Sequence, residues 1–515
     1  MLDYIRNLSP TPNAVNTLIA VSGVLALLFY TTVRRFLHLC TVLDHCPKGC
    51  RKLGLPPGQS NLHDEFDPKY SQGVPETSTD NQGRPAWRVK ALYVYPIKSC
   101  AGVELDTADG VSTGLALDRQ FCFAEDTTTT TVPRRKDSCQ VQQLQEKQLS
   151  NWTARTLRDR NFNRMALIRP EIWLPDPTAT DYSPDLDEIK SQGVMVIYYP
   201  RLGRNRIHSA LLRLGVSLHL LPAEESCRVP LFPPTHRIAT YPTVPVQIWK
   251  DRPVSYDYAQ HIPDSLRRYL SPLTRLSSSD PALSSSSSSS SSSFPALAHK
   301  KHSPRGCSPL TLFRVNPSHH REIFRCAPRK ASLGFQPLTG FADAYPLHIL
   351  SLSSVQDVAS RCAADLPRLS VRRFRANIII QGPPAFAEDD WKRILIRCPC
   401  PPPPSASSAS SSALETESDN GGQSIQIHTV CRTIRCRLPN VDPDTGVRHR
   451  WEPDRTLKRY RRIDRGDPTN ACLGMQGVPA VQEFVIRVGD SVSVVERGDH
   501  CYIKMLAPGE KIPSV

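Results

Sequence analysis

The stretch VKALYVYPIKS, residues 89–99, decides the fold class. Its side chains alternate and are rich in β-branched and aromatic types, which is typical of a β-strand that ends near Pro96. The segments RQFCFAE, RMALIRP, GVMVIYY and SLHLLPA show the same β bias, and HSALLRLGV between the last two favours a short helix. The first half of the chain is therefore predicted to be β-rich, with few long helices.

The second half continues the pattern. We predict a strand, a serine cap and a helix in the segment YPLHILSLSSVQDVASRCAADLP. The segment RRFRANIIIQG predicts a strand that is preceded by charged residues. EDDWKRILI is interpreted as a short helix with acidic caps, and FVIRVGDSVSVVE as two strands around a Gly-Asp turn. Because so many short strands close most simply into barrels, the fold class is predicted to be β-rich α+β.

The N-terminus carries a run without charge, AVNTLIAVSGVLALLFYTTV, at residues 14–33. About 20 apolar residues suffice for a helix to cross a bilayer, although a buried core helix is an alternative. Basic residues follow the run, and by the positive-inside rule they place the body of the protein in the cytosol. We expect a membrane anchor at residues 1–40 and a turn-rich linker at 41–86.

Two low-complexity segments interrupt the patterned sequence. The serine-rich segment at 270–308 and the proline- and serine-rich segment at 399–423 are predicted to be disordered inserts. They leave a first β-barrel region at 87–255 and a second β domain at 309–500.

Composition excludes several classes of protein. The chain has 515 residues and a formal charge of +15. This positive charge indicates either an anionic partner or arginines that are scattered over the surface. The chain has no zinc-finger spacing, recognition-helix pattern or aromatic RNA-binding motif, so a nucleic-acid partner is not expected. Its 16 cysteines form no regular framework, which favours free thiols in a reducing compartment.

The segment TVCRTIRCRLPNVDPDTG, starting at Thr429, holds two cysteines, Cys431 and Cys436. A thiolate is a soft metal ligand and a nucleophile, and the arginines on either side of Cys436 would lower its pKa through their field. From this segment alone, a metal ligand, a disulfide, a reactive thiolate and a buried core cysteine all remain open.

Polar residues at predicted strand ends form a second group. They are Lys98, Ser99, Arg119, Arg164, Arg375 and Asn377. Arg375 and Asn377 share one face of their predicted strand by its period of two. Arginine binds phosphate oxygens bidentately, so converging arginines would make an anion pocket. The chain has no Walker or Rossmann glycine loop, no H-E-x-x-H and no G-x-S-x-G, which leaves zinc hydrolysis and a serine triad without support.

Several of these segments together resemble one family. They are VKALYVYPIKSCAGVEL, GLALDRQFCFAE, RFRANIII, AEDDWKRILI and RCRLPNVDPDTGVRHRWEPDRTLKRYRR. They are similar to MOSC proteins of the mitochondrial amidoxime-reducing-component type, from about residue 87 to residue 496. The resemblance implies an N-terminal MOSC β-barrel region followed by a MOSC β-barrel domain.

The resemblance also implies a molybdenum-molybdopterin cofactor. Cys436 matches the cysteine that ligates molybdenum in the family, and it is expected to be the metal ligand and the catalytic residue. The cofactor-binding residues implied by the match are Lys98, Ser99, Arg119, Arg375 and Asn377. The chain departs from the family at Ile434, where a small hydroxyl residue is common, and at Ala344 and Tyr345, where Thr-Ser is common.

The activity implied is reduction of small N-hydroxylated substrates with electrons from a b-type cytochrome and its NADH-dependent reductase. The expected location is the mitochondrial outer membrane, with a single-pass N-terminal anchor in the bilayer and the body facing the cytosol. Two alternatives remain: a MOSC-type sulfur carrier or cofactor sulfurtransferase, for which pyridoxal phosphate is not expected, and a non-catalytic cofactor-binding module.

Overall fold

The computed structural model of the chain describes residues 21–25, 28–32, 46–127, 151–203, 205–271, 310–398 and 424–504. The insert predicted at 399–423 lies outside the described residues, and so does the insert predicted at 270–308 apart from residues 270 and 271. Of the anchor predicted at 1–40, residues 21–25 and 28–32 are described, and they are helical. No helix within the described ranges is long and apolar enough to cross a membrane.

Strands dominate the described part of the chain. In chain order they are β1 Cys50–Lys52, β2 Arg88–Val94, β3 Val103–Leu105, β4 Thr107–Val111, β5 Gly114–Leu115, β6 Phe121–Asp126, β7 Trp152–Ala154, β8 Arg169–Pro175, β9 Val194–Pro200, β10 Glu224–Pro230, β11 Thr243–Gln247, β12 Val254–Asp257, β13 Leu310–Val315, β14 Arg321–Glu322, β15 Leu338–Thr339, β16 Leu347–Ser351, β17 Ile378–Gln381, β18 Trp391–Arg397, β19 Ser424–Arg435, β20 Ala471–Pro479, β21 Phe484–Arg487 and β22 Ser491–Arg497.

The helices are short and lie outside the barrels. From residue 46 onward they are α1 Asp187–Lys190, α2 Arg206–Ser217, α3 Asp264–Leu270, α4 Lys330–Leu333, α5 Leu352–Cys362 and α6 Asp454–Tyr460. Helix α5 buries Leu352, Val355, Val358 and Cys362, at the three- and four-residue spacing of one helix face.

The larger sheet has the strand order β17-β16-β20-β19-β18-β22-β2-β3. An additional pairing of β17 with β2 joins its two sides and closes it. In β19, alternate residues from Ile425 to Arg435 are buried, which is the pattern of a strand with one face toward a barrel interior.

The smaller barrel is closed by five strands in the order β11-β12-β13-β6-β7. Strand β2 belongs to the larger sheet although it comes from the first predicted region, and β13 belongs to the smaller barrel although it comes from the second. A four-stranded sheet, β1-β8-β9-β10, lies beside them. One apolar cluster runs through these units, from Trp391 and Leu92 to Phe121 and Tyr199, so the two barrels pack on a common core.

Most predicted elements are confirmed, and four segments differ. The RMALIRP segment begins with a 3₁₀ turn at Asn163–Leu167 before β8 starts. SLHLLPA forms a turn after α2, and EDDWKRILI is a 3₁₀ turn followed by β18 rather than a helix. RRFRANIIIQG opens with a 3₁₀ turn at Val371–Phe374, so the strand is only β17.

Candidate functional site

A cavity of about 440 Å³ opens where the ends of several strands from both barrels meet. Its lining contains eight basic side chains and one carboxylate, Asp343. The basic residues are Lys98, Arg119, Arg158, Lys250, Arg325, Arg375, Arg432 and Arg435. Such an excess of positive charge around a concave site favours an anionic ligand. All six residues predicted to bind metal or cofactor line this cavity.

Cys436 is the first residue after β19 and is half-buried at the cavity wall. The guanidinium group of Arg158 lies beside the Cys436 sulfur and 3.5 Å from a carboxylate oxygen of Asp343. Burial would lower the pKa of Arg158, but Asp343 and Cys436 outweigh it and raise that pKa. Arg158 also lies over the Trp249 ring, 4.3 Å from its centroid. The cysteine sulfur therefore has a fixed cation beside it.

Lys98 and Ser99 lie in the turn that follows β2. The Lys98 backbone N–H donates to the Phe121 carbonyl at 2.8 Å, and the Phe121 N–H donates to the Pro96 carbonyl at 2.9 Å. These bonds fix the turn against the start of β6. Ser99 accepts a hydrogen bond from the Leu157 N–H at 3.2 Å and is itself buried.

The Lys98 side chain is held by Asp343. Its Nζ donates to the Asp343 Oδ1 at 2.5 Å and to the Phe341 carbonyl at 2.9 Å. Burial lowers the pKa of Lys98, while Asp343 counteracts that effect. Desolvation would raise the pKa of Asp343, but Lys98 and Arg158 hold it below its usual range. Asp343 thus ties two cavity cations together.

A second hydrogen-bonded group in the cavity lining consists of Arg119, Arg375 and Asn377. Arg119 donates from Nη1 to the Asn377 Oδ1 and from Nη2 to the Arg375 carbonyl, each at 2.9 Å. The guanidinium carbons of Arg119 and Arg375 lie 4.4 and 4.2 Å from the centroid of the Tyr95 ring. Asn377 also donates to the Tyr93 carbonyl, so it fixes Arg119 against β2.

The shared strand face predicted for Arg375 and Asn377 is wrong, because Arg375 is not in a strand. It is the left-handed residue that ends the Val371–Phe374 turn, with φ of 56°. Ser99 and Arg119 are also left-handed, with φ of 69° and 47°. Left-handed backbone costs a residue with a side chain roughly 1–2 kcal/mol, and such strain gathers at functional sites.

Arg375 carries a free donor. Its Nη2 is buried and has no hydrogen-bond partner among the described residues. Burial lowers the pKa of Arg375 to about 10. A buried guanidinium nitrogen without a partner is costly unless a ligand accepts from it. The donor set of the cavity therefore fits a ligand with several negatively charged oxygens.

Arg435 is buried behind Cys436. It donates to the carbonyls of Leu473 and Phe374 and, at 2.5 Å, to the His348 Nε2. Burial, together with Arg435 and Arg119, holds the pKa of His348 well below its usual range, so its imidazole accepts this bond as a neutral ring. The pair stiffens the wall from which Cys436 projects.

Three residues of the site were missed by sequence reasoning. Arg158 and Asp343 lie in turns, where no periodicity marks them. Arg435 was treated only as a source of field, although the alternation of β19 puts it on the buried face. Arg164, which the strand-end pattern did select, is absent from the cavity lining and lies over the Tyr269 ring instead.

The three positions that depart from the family pattern also line the cavity: Ala344, Tyr345 and Ile434. Thr433 lines it as well, and its hydroxyl accepts a hydrogen bond from Gln476 at 3.0 Å. The cavity therefore keeps a hydroxyl near Cys436, one position before Ile434.

Comparison with known proteins gives two family matches. A model described as the MOSC N-terminal beta barrel domain matches residues 86–173, and one described as the MOSC domain matches residues 338–493. Mitochondrial amidoxime-reducing component 1 of Mus musculus is 32% identical over 170 residues, which are 32% of this chain and 40% of that protein.

The human component 1 is 33% identical over 158 residues, covering 30% of this chain and 37% of that protein. Component 2 of Rattus norvegicus is 31% identical over 124 residues, covering 24% and 28%. This chain thus spans about two fifths or less of the length of these relatives. Regions of the chain thus match both domain models in order, and the chain resembles the mitochondrial amidoxime-reducing components.

Proposed function

We propose that the chain is a molybdenum-cofactor oxidoreductase that reduces small N-hydroxylated substrates. The observation that carries the proposal is the Cys436 thiol at the wall of a cavity with eight basic side chains. A soft thiolate is a suitable ligand for molybdenum, and a pterin phosphate needs several cations. The relatives named amidoxime-reducing components support the reaction class.

The residues present fit such a cofactor. The unpartnered Arg375 Nη2 would donate to a phosphate oxygen, and Arg119, held by Asn377, would add a second guanidinium. The described residues contain no group of three or more His, Cys, Asp or Glu that could hold a metal. Cys436 is the residue that would ligate the metal of the cofactor.

The chemistry supplied by such a cofactor, when bound, is two-electron reduction with loss of the substrate oxygen as water. The protein's own part is binding and positioning. By the family resemblance, Lys98 and Ser99 would hold the phosphate side of the pterin. Arg435 with His348 would keep the Cys436 wall rigid. Arg158 would keep a positive charge beside the Cys436 sulfur.

Electron supply and location belong to the same proposal. A b-type cytochrome and its NADH-dependent reductase are proposed as donors, on the strength of the family resemblance. The uncharged apolar run at residues 14–33 supports a membrane anchor, and the names of the relatives support a mitochondrial location. The outer membrane is proposed from the family resemblance alone.

Turnover of an amidoxime by the full chain tests the proposal. Wild type and Cys436→Ala would be purified from a host that makes the cofactor and supplied with a reduced viologen dye. We expect wild type to form the amidine, and Cys436→Ala to fall to the rate of the dye alone. Cys227→Ala is the matched control, since Cys227 lies on β10, away from the cavity lining. Equal rates for wild type and Cys436→Ala would refute the proposal.

A further inference from the structure

A second group of thiols lies beside the cavity and takes no part in the function proposed above. Cys326 follows Arg325 in the segment before α4, and its sulfur is hydrogen-bonded to the thiol of Cys431 on β19. Cys431 is fully buried in a small apolar cluster with Ile323, Ala327 and Val478. Cys326 is only half-buried, so one member of the pair is reachable from solvent and the other is not.

Tyr345 fixes the geometry of the pair. Its hydroxyl oxygen accepts a hydrogen bond from the Cys326 backbone N–H at 3.3 Å, and the hydroxyl donates to the Cys326 sulfur. The Cys326 Sγ–H donates to the Cys501 carbonyl oxygen at 3.6 Å, and the Ile503 N–H lies beside the same sulfur. The side chain of Cys326 is therefore held toward Cys431 from several sides.

Four charged or titratable groups face Cys326. They are Cys431, Tyr345, Tyr502 and Arg325. The hydrogen bond from Cys431, acting against burial, lowers the pKa of Cys326 to about 6. Within the described ranges, Cys326 is the one cysteine with a lowered pKa, and burial raises the pKa of Cys431 well above its usual range. A thiolate next to a protonated thiol is the arrangement of an attacking and a resolving cysteine.

We propose that Cys326 and Cys431 form a reversible disulfide, an oxidative modification site at the wall of the cavity, with a peroxide as the oxidant. The Cys326 thiolate attacks one peroxide oxygen and breaks the O–O bond, which gives a sulfenic acid and, after protonation, one water. The Cys431 sulfur then displaces the sulfenic oxygen as a second water. Two thiols and one hydrogen peroxide thus give one disulfide and two waters.

The position of the pair connects it to the cavity. Arg325, Tyr345 and Arg432 all line the cavity and flank the two cysteines in sequence or in space. Oxidation removes the anionic partner of Arg325 and the sulfur acceptor of the Tyr345 hydroxyl. The redox state of the pair would therefore alter the cavity wall that Tyr345 forms. The covalent step itself does not depend on the proposed function.

Mass spectrometry of the full chain tests the proposal. Hydrogen peroxide treatment, thiol blocking and digestion should yield the Cys326 and Cys431 peptides joined, with the loss of two hydrogens, and dithiothreitol should separate them. In Cys431→Ser, dimedone should instead trap a sulfenic acid at Cys326. Iodoacetamide should label Cys326 half-maximally near pH 6 in untreated protein.

The matched control is Cys227→Ser, at a half-buried cysteine whose pKa is raised to about 12 by burial. This variant should form the Cys326–Cys431 link as wild type does. The proposal is overturned if peroxide-treated wild type gives no joined Cys326 and Cys431 peptides while other cysteines are oxidised. It is also overturned if Cys326 labels no faster than Cys227 at pH 7.

Discussion

Two features of Arg375 point to a bound ligand. Its backbone is left-handed, and its side chain keeps a buried donor without a partner among the described residues. The left-handed backbone costs roughly 1–2 kcal/mol of folding free energy. The unpartnered donor costs a comparable amount unless a ligand accepts a hydrogen bond from it. The stacking of Arg119 and Arg375 on Tyr95 shows that both guanidinium groups are placed rather than mobile.

Substitution of Arg375 should therefore weaken ligand retention more than folding. In Arg375→Gln, loss of one charge-assisted donor should lower cofactor affinity roughly tenfold or more. The measurement is the pterin content of purified protein after extended dialysis. Arg164→Gln serves as the control, because it also removes an arginine with an unpartnered nitrogen but lies outside the cavity. Equal pterin loss in both variants would contradict this role for Arg375.

At the residue scale, the sequence and the family resemblance selected six residues of the cavity lining, but not the contacts that join them. Lys98, Ser99, Arg119, Arg375, Asn377 and Cys436 were all expected, and all line one cavity. Their roles toward a cofactor stay predictions. Asp343 and Arg158 could not be selected, because turn residues carry no period and their importance lies in contacts with Lys98 and Cys436.

Among the elements, β20 contains a glycine at which any side chain would disturb the wall behind Cys436. Gly474 has φ of +73°, and a Cβ there would lie 2.6 Å from the Ile349 carbonyl oxygen and 2.9 Å from the His348 Nε2. Gly474→Ala should lower the free energy of unfolding by about 2–5 kcal/mol, from backbone strain and overpacking together. Urea denaturation would measure it.

The control for that substitution is Gly489→Ala. Gly489 also has a positive φ, +94°, but no neighbouring atom lies within 4 Å of the place that a Cβ would occupy, so only the backbone strain applies. Its cost should be about 1–2 kcal/mol. If the two alanine variants unfold at the same urea concentration, the close packing of Gly474 on His348 does not contribute to the free energy of unfolding.

The turn before β18 contains a pH-sensitive group. Glu388 is fully buried and accepts hydrogen bonds from the Ser351 N–H and the Ser354 hydroxyl at the start of α5. Burial, with repulsion from Asp389, raises the pKa of Glu388 to about 7. A carboxyl whose folded pKa is raised binds its proton more tightly in the folded state. Its contribution to stability is therefore full below its unfolded pKa, about 4.3, and is lost as pH rises through about 7.

Glu388→Gln should remove this pH dependence. Between pH 5 and pH 8, the urea midpoint of wild type should fall relative to that of Glu388→Gln, because only the carboxyl must ionise while buried. Glu483→Gln, a change at an exposed position, should follow wild type at both pH values. A constant difference between wild type and Glu388→Gln would show that Glu388 does not titrate in this range.

Strand prediction worked where side chains alternate and failed where a turn precedes the strand. β2, β6, β9, β16, β21 and β22 were all expected from their patterns. In RMALIRP and EDDWKRILI the apolar residues suit a strand or a helix equally well, and 3₁₀ turns at Asn163–Leu167 and Ala387–Asp390 occupy their first residues. Short 3₁₀ turns have no periodic signature, so local pattern could not locate them.

For the whole molecule, the sequence predicted two barrels, but not that each barrel takes a strand from the other's predicted region. β2 pairs with β17, β3 and β22, and β13 pairs with β6 and β12. These pairings join residues separated by up to several hundred positions, and nothing in a local pattern encodes them. The exchange brings the Lys98–Ser99 turn after β2 to the same cavity as Cys436 after β19.

The molybdenum and pterin content of the purified full chain is the measurement that tests the central claim most directly. Wild type and Cys436→Ala would be produced in a cofactor-competent host, and metal would be quantified by elemental analysis. We predict near-stoichiometric molybdenum and pterin in wild type and in Cys227→Ala, and loss of molybdenum in Cys436→Ala. Wild-type protein without molybdenum or pterin, or a Cys436→Ala variant that retains the metal in full, would contradict the account.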